Sequence, residues 1–267
     1  MTQITLSDDL AQRLEHYLQQ SSQSLEDTFD VLLSGISLAN PALLSIFTHD
    51  MRTPLASIMT SSDIIKTHHH LLSETQQQEH LTTIQMQVNV INDMIDNLVI
   101  LQKYDVGTLL FEPRLGDVSD LCQTMINEIN LRTYTSHNIT FDADGGTSRG
   151  IFDPKLLRLA LIQVLTNAVR YSPENSTIQV RCMNLPEQVL VNIIDEGMGI
   201  PAKEQEQVSK LFYRASNSQR IPGKGLGLAV VQRIMTLHDG DMTIESHINQ
   251  GTTIGLAIPK PYEATAF

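Results

Sequence analysis

Phe47-Thr48-His49-Asp50-Met51-Arg52-Thr53-Pro54-Leu55 is the stretch on which the reading of this chain turns. In a helix, Leu44, Met51, Ile58 and Ile65 recur every seven residues and form an apolar seam, the pattern of a helix packed in a bundle. His49 precedes Met51 by two residues, about 200° around the axis at roughly 100° per residue, so it is expected to face solvent. Ile46, Thr53 and Ala56 share its face. Pro54 offers no N–H to the carbonyl of Asp50 and crowds it, so the helix is expected to bend or loosen there.

A neutral imidazole is a fair nucleophile near neutral pH and improves when a carboxylate accepts the proton of its other nitrogen. Asp50 is the candidate base, and Thr53, at i+4 from His49, can orient a water toward a phosphorylated histidine. Taken alone, the stretch is also compatible with an ordinary exposed histidine beside a helical proline. The rest of the chain decides.

With 267 residues, 41% hydrophobic and 18% charged, the chain has the composition of globular material with room for about two domains. A net charge of −12 argues against nucleic acid or an anionic membrane as the main partner. Two cysteines, Cys122 and Cys182, make no disulfide framework or metal cluster. No apolar run approaches the roughly 18 residues of a membrane span, and the N-terminus lacks a basic region followed by an apolar core, so a cytoplasmic protein is expected.

Residues 1–40 read as a short strand and two helices, a pattern that weakly resembles a ribbon-helix-helix dimerisation or sensing unit and equally suits a plain helical leader. Its single basic residue, Arg13, stands against six acidic ones, so DNA binding is not expected. Pro41 then starts the helix of His49, which is predicted to run to about Thr67. After a connection around His68 to Glu74 comes a second helix. There Leu81, Ile84, Val88, Ile91, Ile95 and Leu98 form one apolar face and Met86, Val90, Met94 and Leu101 a neighbouring one. Two such faces exceed what one hairpin covers, and a homodimeric four-helix bundle would bury both. The hairpin is expected over 41–106, with a hinge at Lys103 to Gly107.

Over 107–267 the texture changes to alternating strands and helices. Asp117 to Arg132 reads as a helix, Ile139 to Asp144 as a strand, and Asp153 with Pro154 as a helix start by N-cap and first-turn proline. The helix that follows is apolar except for a stripe of Gln163, Asn167 and Arg170, whose amides suit a hard cation and whose guanidinium suits phosphate. A strand from Val189 to Ile194 ends in Asp195 before Gly197 and Gly199, glycines that admit close backbone approach. Gly223, Gly225 and Gly227 then open an amphipathic helix, Leu226 to Leu237, whose N-terminus is a ready phosphate cradle. Lys210, Arg214, Arg220 and Lys224 lie between the two glycine groups and suit a lid over phosphates.

With these motifs in order, residues 42 to 260 closely resemble the sensor histidine kinases of bacterial two-component systems. Phe47–Leu55 resembles the phosphoacceptor box, Gln163–Ser172 the asparagine box, Asp195–Ile200 the first glycine box, and Leu211–Arg214 the phenylalanine box. Gly223–Leu228 resembles the second glycine box, and Gly251–Thr253 the closing glycine and threonine pair. The resemblance implies a dimerisation and phosphotransfer hairpin followed by an α/β sandwich of the Bergerat ATP-binding type. It implies that His49 takes the γ-phosphoryl group of ATP and passes it to an aspartate on the receiver domain of a response regulator, a partner the protein can also dephosphorylate. By the same comparison Asn167, with Gln163, would ligate Mg²⁺; Asp195 would hydrogen-bond the adenine amino group; Tyr171 would lie against adenine; and Arg170, Gly225 and Gly227 would contact phosphate. Gly197, Gly199, Arg214, Lys224, Leu226, Thr252 and Thr253 complete the nucleotide-binding set that the motifs imply.

Two departures stand out. Gln163 occupies the place of the family's usual first asparagine and Arg170 that of its usual lysine, which bears on metal geometry and on the phosphate fork. A non-catalytic or phosphatase-only scaffold is the alternative reading. A gyrase-like ATPase is a further rival, but it needs a general base where Gln163 stands.

Overall fold

The computed structural model describes residues 41–132, 137–144, 148–219, 221, 223 and 225–261, with backbone alone at 41–50 and 131–132. The 1–40 leader, the side chains of His49 and Asp50, and Arg220 and Lys224 lie outside the described residues. The chain divides into two compact units between Asp96 and Asn97.

The first unit is a helical hairpin: α1 (Pro41–His68) and most of α2 (Glu74–Asp105). The helix α1 runs through Pro54 without a break, and the proline ring is buried. A capping box starts α2. Ser73 N–H donates to Gln76 Oε1 at 3.0 Å, and Gln76 N–H donates back to Ser73 Oγ at 3.2 Å, which satisfies two free helix-start donors reciprocally. Gln77 Nε2 ties the turn by donating to the carbonyls of His69 and Leu72. Met51 and Met94 are buried, whereas Met59, Leu81, Met86, Val88 and Val90 are exposed.

The second unit begins with the last turns of α2. It continues through β1 (Arg114–Asp117), α3 (Val118–Arg132), β2 (Asn138–Ala143), β3 (Arg149–Phe152) and α4 (Pro154–Tyr171). Then come β4 (Thr177–Asn184), β5 (Gln188–Asp195), α5 (Gly227–Leu237), β6 (Asp241–His247) and β7 (Gly251–Pro259). Five strands form one sheet in the order β2-β4-β5-β7-β6, with β2 parallel to β4 and the other pairs antiparallel. The short strands β1 and β3 pair with each other in a separate antiparallel ribbon.

Along β4 and β5 buried residues alternate with half-buried ones, the period-2 pattern of a sheet covered on one face. Ile178, Val180 and Cys182 from β4 and Val189, Val191 and Ile193 from β5 share a core with Met125 and Ile129 of α3, Leu157, Leu161 and Leu165 of α4, and Val230, Val231 and Ile234 of α5. Leu101 of α2 belongs to this core and is fully buried.

The expected hinge at Lys103 to Gly107 therefore lies inside the second unit. Arg233 of α5 donates to Asp105 Oδ1 at 3.4 Å, and its guanidinium sits 5.6 Å from the centroid of the Tyr104 ring. Gly107, at φ +68°, closes the helix in the left-handed conformation, and the N–H groups of Thr108 and Leu109 reach back to the Lys103 carbonyl.

Candidate functional site

Asp153 fixes the start of α4. Its Oδ1 accepts from the N–H groups of Lys155 and Leu156 at 2.9 and 3.2 Å, the N-cap that the sequence predicts, with Pro154 in the first turn. Its Oδ2 accepts the Glu112 N–H at 2.9 Å. Its own N–H donates to His238 Nε2 at 2.9 Å, and His238 Nδ1 donates to the Ile234 carbonyl at 2.7 Å. The end of α5 is thus bound to the beginning of α4.

From that anchor α4 delivers its polar stripe. Gln163 is buried, Asn167 and Tyr171 are half-buried, and Arg170 is exposed. The first two meet the second glycine group at the start of α5: a Cβ on Gly227 would stand 2.8 Å from Gln163 Oε1 and 3.5 Å from Asn167 Nδ2. The other two meet its beginning, since a Cβ on Gly223 would stand 3.1 Å from the Tyr171 hydroxyl and 3.7 Å from an Arg170 guanidinium nitrogen. Leu226, the residue before α5, gives no side-chain cap to the first N–H groups of this helix. Glycine at 225 is required by conformation, at φ +67°, and by space, because a Cβ there would lie 2.5 Å from the Tyr213 carbonyl.

Asp195 closes the other side. It lies opposite Thr252 in the β5–β7 register, and its Oδ1 accepts the N–H groups of Gly197 at 2.8 Å and Thr252 at 3.1 Å. Burial raises its pKa above the ordinary aspartate value, opposed by these two N–H donors. Both hydrogen bonds fall on Oδ1. The first glycine loop is strapped to α4 by Met198 N–H, which donates to the Tyr171 carbonyl at 3.2 Å. Thr252 contributes its N–H to Asp195 and its hydroxyl to Ser246 at 2.8 Å, and Thr253 is half-buried on β7.

The segment between the glycine groups is folded by its own bonds. Arg214 donates to the carbonyls of Ser218 and Ile221, so its guanidinium here shapes the loop. Phe212 N–H donates to the Gly225 carbonyl at 2.9 Å, and Asn217 Nδ2 donates to the Gly199 carbonyl at 2.8 Å, linking the loop to both glycine groups. Glu204 accepts from the Ser216 hydroxyl and N–H, both at 2.7 Å, and those bonds lower its pKa.

In the first unit Thr53 is exposed on α1, one turn beyond the position of His49 in the helix. One participant went unread in the sequence. Gln163 Nε2 donates to Asn97 Oδ1 at 3.0 Å, and both residues are buried. The signal was a lone amide among Met86, Val90, Met94 and Leu101 on one helical face.

Residues 152–262 match the family described as histidine kinase-, DNA gyrase B-, and HSP90-like ATPase. Residues 42–107 match the His Kinase A (phospho-acceptor) domain, which sets the chain apart from gyrase- and HSP90-type ATPases. The chain carries the phosphoacceptor and ATPase domains of a histidine kinase. The chain is 28% identical over 258 residues to the circadian input-output histidine kinase CikA of Synechococcus elongatus, covering 94% of this chain and 34% of CikA. It is 27% identical over 239 residues to the histidine-protein kinase/phosphatase MprB of Mycolicibacterium paratuberculosis, covering 86% of this chain and 45% of MprB. The chain thus spans between a third and a half of the length of these relatives. In fold it is similar to the Acinetobacter baumannii histidine kinase AdeS, at TM-score 0.58 and 20% identity over 79% of this chain and 97% of AdeS. Full-length ShkA, solved in complex with AMPPNP, aligns at TM-score 0.57 and 18% identity over 83% of this chain and 46% of ShkA.

Proposed function

We propose that this chain is an ATP-dependent protein-histidine kinase that phosphorylates its own His49 and passes the group to an aspartate of a response regulator. The observation that carries the reading is the convergence of Asn167 and Gln163 on the uncapped start of α5, with Asp195 Oδ2 left for a base. Asp195 accepts from the adenine amino group, Tyr171 lies along the base, and the N–H groups around Gly225 and Gly227 take phosphate oxygens. Arg170 adds charge at the phosphates, as does Lys224. The carboxamides of Asn167 and Gln163 are hard oxygen donors beside that anion site and fit Mg²⁺, which would neutralise phosphate charge when bound. Positioning and charge neutralisation carry most of phosphoryl transfer, so these fixed groups are the catalytic apparatus. Asp50 accepts the second imidazole proton of His49, and exposed Thr53 orients a water when the phosphoryl group is removed from the partner.

We further propose that the chain acts as a homodimer in the cytoplasm. Met59, Leu81, Met86, Val88 and Val90 leave an apolar surface on the hairpin, and a second hairpin covers it in a four-helix bundle.

Incubation with γ-labelled ATP and Mg²⁺, beside His49→Gln and Asn167→Asp, tests the assignment. Acid-labile, base-stable label on the native chain, absent from both variants, is the expected result. Undiminished label on His49→Gln would overturn the acceptor assignment, and an unlabelled native chain that binds ATP would overturn the kinase reading.

A further inference from the structure

Asn97 interrupts an apolar stripe. Met94, Asn97 and Leu101 follow one another at helical spacing in α2, and all three are buried. A buried carboxamide without a partner is destabilising, so its contacts matter. The Asn97 oxygen is taken by Gln163 Nε2 at 3.0 Å, within the second unit. Arg233 holds the same end of α2 against α5 through Asp105 and the face of Tyr104.

The bond has a directional consequence. A carboxamide carries its donor and its acceptor on opposite arms of a flat group, so fixing the nitrogen on Asn97 turns the oxygen the other way. That oxygen lies against Gly227, at the uncapped start of α5 and beside the Asn167 amide. The added methylene of glutamine gives Gln163 the reach to touch Asn97 with one arm and the phosphate cradle with the other.

We propose that Asn97 is a positioning residue for the nucleotide site: it holds the Gln163 carboxamide with its oxygen toward the α5 N-terminus, where an oxygen serves the Mg²⁺ of bound ATP. Without Asn97 the amide is free to rotate and to present N–H₂ groups to a cation. The inference rests on the ATP-binding reading above.

The test is titration of the full chain with a fluorescent ATP analogue, with and without Mg²⁺. Asn97→Leu fills the space but removes the acceptor, and it reduces the Mg²⁺-dependent gain in affinity about five- to tenfold, with metal-free affinity unchanged within about twofold. Asn97→Asp keeps an acceptor and nothing else, so it retains the gain. A packing role alone predicts the same gain in all three proteins. An unchanged gain in Asn97→Leu, or a loss in Asn97→Asp as large as in Asn97→Leu, overturns the proposal. A measurement on the native chain stands apart from whether the variants fold. The side-chain amide protons of Gln163, identified by their absence in Gln163→Glu, exchange with solvent at least about tenfold more slowly than those of an exposed glutamine. Exchange at the exposed rate overturns the pairing. Failure of the native chain to bind nucleotide at all would refute the kinase reading instead, and the amide measurement would still decide the Asn97–Gln163 bond.

Discussion

Asp195→Asn separates recognition of the base from the integrity of the fold. In the native site Oδ1 is held by Gly197 N–H at 2.8 Å and Thr252 N–H at 3.1 Å, and these two donors fix which oxygen faces inward. Asparagine keeps a carbonyl at Oδ1, so both backbone bonds survive and the amide nitrogen falls where Oδ2 was. An acceptor then becomes a donor toward the proposed adenine amino group. A hydrogen bond to a charged acceptor contributes about 1.5–3 kcal/mol, which corresponds to roughly 10- to 150-fold weaker binding of ATP. Thermal stability changes by less than about 1 kcal/mol, since the fold-supporting contacts are retained. Inosine triphosphate, which carries a carbonyl in place of the amino group, binds the variant better than it binds the native protein. Because burial raises the Asp195 pKa, ATP affinity of the native protein falls on acidification before an ordinary aspartate would protonate. Competition against a fluorescent analogue, with melting curves as control, reads all of these. Native-like ATP affinity in a folded variant, or no gain for the inosine nucleotide, would refute the assignment of Asp195 to the base.

Gly227→Ala places a Cβ 2.8 Å from Gln163 Oε1, so the carboxamide must move from its place beside the start of α5; it weakens nucleotide binding, as titration will show, and undiminished binding would refute the placement of that oxygen at the site. His238 is held neutral chiefly by burial, which lowers its pKa from 6.5 against the opposing pull of the Ile234 carbonyl and Asp153. Its contribution to stability is fully present above that ordinary value and is lost as pH falls from there toward the depressed one, since the unfolded chain takes up the proton first. Denaturant melts across this window in native protein and His238→Gln compare the slopes, and an equal slope in both would refute the link. Met86→Glu puts a charge on the exposed face of α2 and weakens the proposed dimer at least tenfold, measured by sedimentation equilibrium and on the order of the cost of burying an unpaired charge.

The legible parts of this fold are those set by chemistry close in sequence. Asp153 and Pro154 announce the start of α4 because cap and first turn lie within four residues, and the glycines at 225 and 227 mark a loop that admits no side chain. Residues 114–117 and 149–152 gave no such sign. Four residues have little pattern of their own, and β1 and β3 exist through pairing with each other, Arg114 with Phe152 and Leu115 with Ile151. The packing around the expected hinge was hidden for a related reason. Lys103 to Gly107 has the look of a helix end running into a loop, which it is, but Leu101 in the core and Asp105 on Arg233 bind that end to the second unit. Sequence marks where a helix stops; contacts over more than a hundred residues decide what it packs against.

Gln163 illustrates how a departure from a family pattern acquires meaning. Judged by α4 alone, glutamine for asparagine is a longer amide in a crowded place, and the expectation is displacement of whatever it binds. The structure supplies what α4 lacks: an acceptor 3.0 Å from its nitrogen, on a helix 66 residues earlier in the chain. With that partner the extra methylene spans from Asn97 to Gly227, and the oxygen arrives at the same helix N-terminus as Asn167. Exchanging the two, as Asn97→Gln with Gln163→Asn, conserves the summed length of the pair, so it restores the bond that Gln163→Asn alone would break. The oxygen would still sit nearer α4 than in the native chain, and Mg²⁺-dependent affinity recovers only in part. Full recovery would mean that the pair serves packing and not the placement of an oxygen.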